Sequence, residues 1–156
     1  MHGTCTLKKK YDAICFINTQ HSGDITGTIT LYKKGTQTVA KCNLKGLSPG
    51  LHGFHVHECG DFSKGCASTC SHYNSDGKTH GGPTGENRHK GDFGNIYADE
   101  YGVCVTEVTA DVLVDEIIGR AFIVHADEDD LGQGGDEESL KTGNAGARIA
   151  CGLIVK

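Results

Sequence analysis

Gly50-Leu51-His52-Gly53-Phe54-His55-Val56-His57-Glu58 is the stretch on which the reading of this chain turns. Side chains on a strand alternate between its faces, so residues two apart point the same way. As a strand, residues 51–58 put His55 and His57 on one face. Phe54 and Val56 then face a core. Two neutral imidazoles on a rigid element begin a metal site. The remaining donors must come from elsewhere in the chain.

Working outward, short runs rich in β-branched residues recur at 13–18, 25–33, 37–44, 92–98, 103–109, 111–114, 120–125 and 148–155. Gly, Asn, Ser or Lys-Gly separates the first of them, as antiparallel strands with tight turns require. Two long segments break the pattern, 59–91 and 126–147, both polar and glycine-rich. Loops of that length inside a compact domain are uncommon and usually functional. No stretch reads as an amphipathic helix. The pattern predicts an all-β chain, an eight-stranded antiparallel Greek-key barrel or sandwich of immunoglobulin-like type with two long functional loops.

Composition agrees with this. The chain has 156 residues, enough for one domain with a real core. Glycine is abundant at 23 residues, against a usual share of roughly 7%. The first ten residues contain no apolar run of secretory type, and no run is long enough to span a membrane. A cytoplasmic setting is therefore the expectation. Lys8, Lys9 and Lys10 read as a solvated leader, and a net charge of −5 argues against a nucleic-acid partner. The eight cysteines include no Cys-x-x-Cys pair, which disfavours a zinc finger or a thioredoxin-like site.

Seven of the nine histidines are His52, His55, His57, His72, His80, His89 and His125. The first long loop carries His72, His80, His89 and then Asp92. Three imidazoles and one carboxylate satisfy a closed tetrahedral zinc site. A single loop histidine is most often a solvated bystander, but six of them around one strand, two loops and a second strand are not.

With these residues the chain resembles the copper–zinc superoxide dismutases. Residues 50–58 look like the family's first signature, and Gly143-Asn144-Ala145-Gly146-Ala147-Arg148-Ile149-Ala150-Cys151-Gly152 look like its second. His80-Gly81-Gly82-Pro83, His89-Lys90-Gly91-Asp92 and Asp130-Leu131-Gly132-Gln133-Gly134-Gly135 match as well. The resemblance covers residues 13–156, leaving 1–12 as an N-terminal extension. It implies an antioxidant enzyme that dismutes superoxide to oxygen and hydrogen peroxide, with one copper and one zinc per subunit.

The resemblance also implies roles. His55, His57, His72 and His125 would bind copper; His72, His80, His89 and Asp92 would bind zinc; His72 would be shared and would carry a proton to the product. Asp129 would accept hydrogen bonds from His55 and His80. Arg148 would attract the anionic substrate. Glu137, Glu138, Lys141 and Thr142 would form the channel rim. Relatives often carry a steering lysine where this chain has Asp127, so steering is expected to be weaker and to rest on Arg148 and Lys141.

Cys66 and Cys151 match the family disulfide, worth roughly 4–5 kcal/mol by loop entropy. Cys59 and Cys70 are expected as free thiols rather than a second bridge. A homodimer is implied, with Ile14, Phe16, Ile118 and Gly119 at its interface; Cys59 in place of an aromatic residue and the charged terminal Lys156 depart from the family pattern there. Relatives that need a copper chaperone tend to carry proline beside the last arginine, whereas Ala147 and Ile149 flank Arg148, so loading without a chaperone is expected. Two other readings are a metal-delivery protein and a structural sandwich that keeps zinc alone. The first would lack a copper ligand or carry an extra domain with paired cysteines, and the second would not need His55, His57, His125 and Arg148 together.

Overall fold

In the computed structural model, which describes residues 10–156, the signature stretch is a strand, and its two faces have different fates. Nine strands form: β1 Ala13–Ile17, β2 Thr26–Lys34, β3 Gln37–Lys45, β4 Gly50–His57, β5 Ser63–Cys66, β6 Asp92–Ala98, β7 Cys104–Ala110, β8 Ala121–His125 and β9 Arg148–Val155. All but β5 join one antiparallel sheet in the order β6-β4-β8-β9-β1-β2-β3-β7. The connections from β3 to β4 and from β7 to β8 cross between the two halves of this sheet. Its edges nearly meet: Tyr97 N–H on β6 donates to Thr106 Oγ1 on β7 (3.3 Å), which donates back to the Tyr97 carbonyl (3.2 Å). The result is a nearly closed eight-stranded barrel, as the strand pattern predicts.

Local chemistry explains the individual elements. Lys34 pairs with Gln37 across the two-residue loop Gly35-Thr36, and Gly35 supplies the positive φ (+60°) such a hairpin needs. The barrel interior takes Phe54, Phe93 and Phe122, whose rings pack at 4.6–5.7 Å between centroids, along with Val56, Ile96 and Val124. The opposite face of β4 carries His55 and His57. It would meet water in a bare barrel, yet both residues are buried because the two long loops fold over it. On β8 the same outward face carries Ala121, Ile123 and His125. Ala121 and Ile123 form a second small apolar cluster with Cys66 and Cys151 beneath the loop.

Three expectations need correction. Residues 111–114 are not a strand. They turn into a single helical turn, α1 Val114–Ile117, which buries Val114 and Ile117 three residues apart. Leu113 N–H donates to Glu116 Oε2 (3.3 Å), and Lys90 Nζ holds Glu116 from the first long loop (2.8 Å), so the segment is satisfied without strand pairing. The long loops are not wholly irregular: β5 and a 3-10 turn at Ala67–Thr69 lie in the first, and α2 Ser139–Thr142 in the second. Cys59 and Cys70 are not free thiols but a disulfide, nested around Cys66 of the expected Cys66–Cys151 bridge. Their Cα atoms lie 5.5 Å apart, well within reach of an S–S bond. The remaining described cysteines, Cys15, Cys42 and Cys104, are free and buried. The supposed N-terminal extension falls mostly on residues 1–9, outside the described residues, although Asp12 already pairs with β2 through its N–H to Leu31 O (2.8 Å).

The Cys66–Cys151 bridge closes 85 residues and ties the first loop to β9. The double substitution C66A/C151A should lower the free energy of unfolding by up to about 4–5 kcal/mol, read from urea denaturation of the otherwise oxidised protein.

Candidate metal centre

Backbone pairing beyond the end of β4 brings the first loop onto the two histidines. Tyr73 N–H donates to Val56 O (2.8 Å), Glu58 N–H to Ser71 O (2.9 Å) and Val56 N–H to Gly91 O (2.8 Å). His72 thereby lies directly across from His57. Irregular registers after Gly53 on β4 and after Val124 on β8 re-aim His55 and His125 at the same place. The two loops are joined where His80 N–H donates to Leu140 O (2.8 Å).

Two donor sets result. In the first, one ligand atom from each of His55, His57, His72 and His125 lies within 4.8 Å of all the others, and all four residues are buried. In the second, the Nδ1 atoms of His72, His80 and His89 lie 3.1, 2.9 and 3.5 Å from Asp92 Oδ1, and His72 Nδ1 lies 3.1 Å from His89 Nδ1. Four ligands around zinc, with bonds near 2.0–2.1 Å, stand about 3.3–3.4 Å apart. The observed spacings bracket that value. His72 Nδ1 belongs to the second set, which leaves its Nε2 for the first.

Among the described residues, three buried nitrogens have no hydrogen-bond partner, His55 Nδ1, His57 Nε2 and His125 Nε2, and a fourth, His80 Nδ1, has only a poorly aligned Asp92 Oδ1 at 2.9 Å. A buried polar atom without a partner is costly and needs an explanation. Here each one points into a donor set, where a cation would satisfy it. The other nitrogen of each ring is held. His57 Nδ1 lies 2.9 Å from Cys70 O, His125 Nδ1 is 3.0 Å from Gly146 O, and His55 Nε2 meets Asp129 Oδ2. His80 Nε2 meets Asp129 Oδ1 at 2.8 Å. Such partners fix tautomer and ring direction.

Asp129 thus spans both sets. It is fixed in turn by Asn95, which accepts from Asp129 N–H (2.7 Å) and donates to Asp129 O (2.9 Å), and by Leu131 N–H on Oδ1 (2.7 Å). Gly143 passes so close to Asp129 and His80 that a side chain there would collide with both, and its φ of +72° already favours glycine. Asp92 Oδ2 accepts from the N–H groups of Gly81 (2.9 Å) and His89 (2.8 Å), leaving Oδ1 for the donor set.

The electrostatics suit cations. Burial pushes His57 down to about 2 and His125 down to about 4. Burial also pulls His55 and His72 below the ordinary histidine value, so these rings are neutral donors with free lone pairs. Burial opposes charge at His80 and Asp92 too, but their mutual contacts win. The hydrogen bond to Asp129 and the adjacent Asp92 carboxylate raise His80 to about 9, and three imidazoles hold Asp92 below the carboxylate range.

A cleft of about 1040 Å³ opens onto the first set, lined by His57, His72, His125, Lys78, Arg120, Glu138, Lys141, Thr142 and Arg148 among others. Arg148 Nη1 donates to Cys66 O (3.0 Å) and Thr69 Oγ1 (3.1 Å). Of the four expected rim residues, Glu138, Lys141 and Thr142 line the cleft. Glu137 instead pairs with Lys141 (3.1 Å). Asp127 is exposed and stands outside the lining. His52, read as one of the cluster, serves elsewhere: its ring nitrogens lie 2.8 Å from His125 O and 2.7 Å from Ser48 O.

Sequence reasoning missed Arg88, Asn95 and Thr69. Arg88 is buried and donates to four carbonyls: Gly82 (3.0 Å), Asp111 (2.7 Å), Lys90 (2.9 Å) and Asp92 (3.0 Å). It staples the loop that carries His80 and His89. An arginine one residue before a ligand in a polar loop looks solvated until its acceptors are known.

Comparison with known proteins supports this geometry. A family model described as copper/zinc superoxide dismutase (SODC) matches residues 25–154. The chain is 47% identical over 156 residues to the extracellular superoxide dismutase [Cu-Zn] of Brugia pahangi, covering 96% of this chain and 78% of that protein. A crystal structure of the clock protein EA4 superposes with a TM-score of 0.84 at 41% identity, covering 92% of each chain. The cytoplasmic setting expected from the sequence is overturned. The Brugia relative is extracellular, and two disulfides among the described residues suit an oxidising compartment. No helix among the described residues is long and apolar enough to cross a membrane.

Replacing Arg88 by alanine should destabilise the protein by about 1–3 kcal/mol through buried carbonyls left unpaired. Arg88→Lys should not restore it, because one ammonium cannot reach four separate acceptors. Urea midpoints of the two variants check this.

Proposed function

The chain belongs to the copper/zinc superoxide dismutase family and dismutes superoxide to oxygen and hydrogen peroxide with copper and zinc, and we propose the following division of labour among its residues. His55 Nδ1, His57 Nε2, His72 Nε2 and His125 Nε2 hold the copper. The Nδ1 atoms of His72, His80 and His89 hold the zinc together with Asp92 Oδ1. The single observation that carries this is the set of four buried imidazole nitrogens left without a well-formed hydrogen bond, each aimed into one of the donor sets.

Copper, when bound, would supply one-electron redox chemistry toward superoxide, while zinc, which has one stable oxidation state, would not exchange electrons. The residues do the rest. His72 belongs to both sets, so its Nε2 is the atom able to take a proton when that nitrogen is released and to return it to the product. No other side chain both bridges two cations and titrates near neutral pH. Asp129 keeps His55 and His80 in fixed orientation and so couples the two metals mechanically. Arg148 lines the cleft with one nitrogen anchored to Cys66 and Thr69, which holds its charge in one place for a small anion.

Steering then has to be local, because the formal charge of −5 becomes only −2 with two dications and a bridging imidazolate. Lys141 shares its charge with Glu137. Arg148 is therefore the main attractor, helped by Lys78 and Arg120 on the cleft wall.

The working unit we propose is a homodimer. Ile14 pairs with Val155 across β1 and β9, and the same outward face carries Phe16 and Leu153, of which Phe16 is 55% and Leu153 40% exposed. Gly60 packs against Gly119 and Leu153 at its margin. A patch of this kind wants cover. The setting we propose is extracellular, in keeping with the Brugia relative and the two disulfides.

His125→Ala should lose copper and superoxide turnover while keeping zinc, measured by metal analysis and assay of the same preparation; retained turnover would sink the assignment. Asp129→Asn should weaken both metals by about 10–100-fold, seen by competition with chelators. Arg148→Gln should lower kcat/KM about tenfold or more at low salt, within the general range for steered association that superoxide dismutases themselves exemplify, and should flatten the dependence on ionic strength.

A further inference from the structure

The second disulfide lies where the proposed copper ligands are oriented. His57 Nδ1–H donates to the carbonyl of Cys70 (2.9 Å), and this bond leaves Nε2 free to face the donor set. Cys70 has φ 68° and ψ −154°. That region of backbone space is essentially restricted to glycine. A residue with a side chain stays there only when its surroundings compel it. The bond to Cys59 is the covalent constraint at that point, and Cys59 is itself fixed to the same turn by its N–H on Thr69 O (3.0 Å). Cys59 lies two residues after His57, just beyond the end of β4, so the bridge runs from the segment that follows the ligand to the carbonyl that orients it. The ring it closes also contains Cys66 and Thr69, which receive the guanidinium of Arg148.

We infer that the Cys59–Cys70 disulfide is a positioning device for the copper site: it holds residue 70 in a glycine-type conformation, so that its carbonyl accepts the His57 Nδ1 proton and aims Nε2 at the metal. This rests on the assignment of His57 to copper. Glycine would adopt this conformation freely; cysteine stands here instead, and the bridge supplies the restraint that glycine would make unnecessary. Cys59 and Cys70 are therefore positioning residues, not catalytic ones.

Two double variants separate the restraint from mere tethering. In C59A/C70A the alanine is released from a conformation it disfavours. In C59A/C70G the tether is equally absent, but glycine adopts that conformation freely. Each is prepared with the Cys66–Cys151 bridge intact and loaded with both metals. In the reduced, diamagnetic protein the His57 Nδ1 proton is followed by NMR for exchange with water. In the oxidised protein the copper EPR spectrum and the copper affinity are measured. In C59A/C70A the Nδ1 proton should exchange much faster, the EPR parameters should shift, and copper affinity should fall about 10–100-fold. C59A/C70G should keep native exchange and spectrum and an affinity within a few-fold of the unaltered protein. Native behaviour of C59A/C70A overturns the inference, and so does an equal loss in both variants. Failure of the unaltered protein to take up copper would instead overturn the ligand assignment, whatever the variants do.

Discussion

One buried carboxylate holds the two halves of the site in a fixed relation. Asp129 receives His55 with one oxygen and His80 with the other, and those rings come from a barrel strand and from a long loop. Burial raises its pKa, and His80 partly offsets the rise. Asn95, Leu131 and the missing side chain of Gly143 keep it in place. Without that carboxylate nothing would fix the ring of His80 relative to the ring of His55. The barrel supplies rigidity, but Asp129 converts rigidity into a relation between two donor sets.

Much of this was legible in the sequence because it rests on short-range rules. The period-two alternation of Phe54, His55, Val56 and His57 put the imidazoles on one face, and the structure keeps them there. The strands at 92–98 and 148–155 have the ends that the pattern predicts. The division of the donors into two sets follows from the family resemblance and not from such a rule. What the pattern could not reveal depends on distant partners. Segment 111–114 has strand-like residues, yet Lys90 and Glu116 draw it into a helical turn. Arg88 reads as a surface charge because its four acceptors are carbonyls, which leave no mark on a sequence. Cys59 and Cys70 were read as thiols from the expectation of a reducing setting, and that premise failed with the setting itself.

The loops that cover the site have little apolar surface of their own. They are held by a different kind of bond: backbone pairing of residues 71–73 and 91 beyond the end of β4, the Arg88 staple, and two nested disulfides. The apolar barrel and the polar loops therefore have separate sources of order. Protonation, chelation or reduction acts first on the loops and the barrel face beneath them, because the groups these agents attack lie there and not among the rings of Phe54, Phe93 and Phe122.

The three remaining described cysteines have a practical use. Cys15, Cys42 and Cys104 lie sealed in the barrel, with burial driving Cys15 up to about 12. In the native protein an alkylating reagent has neither access to them nor thiolate to attack. Each becomes reactive only when strands part. The chain thus carries its own internal gauge: the speed with which these sulfurs are capped counts the moments at which the barrel stands open.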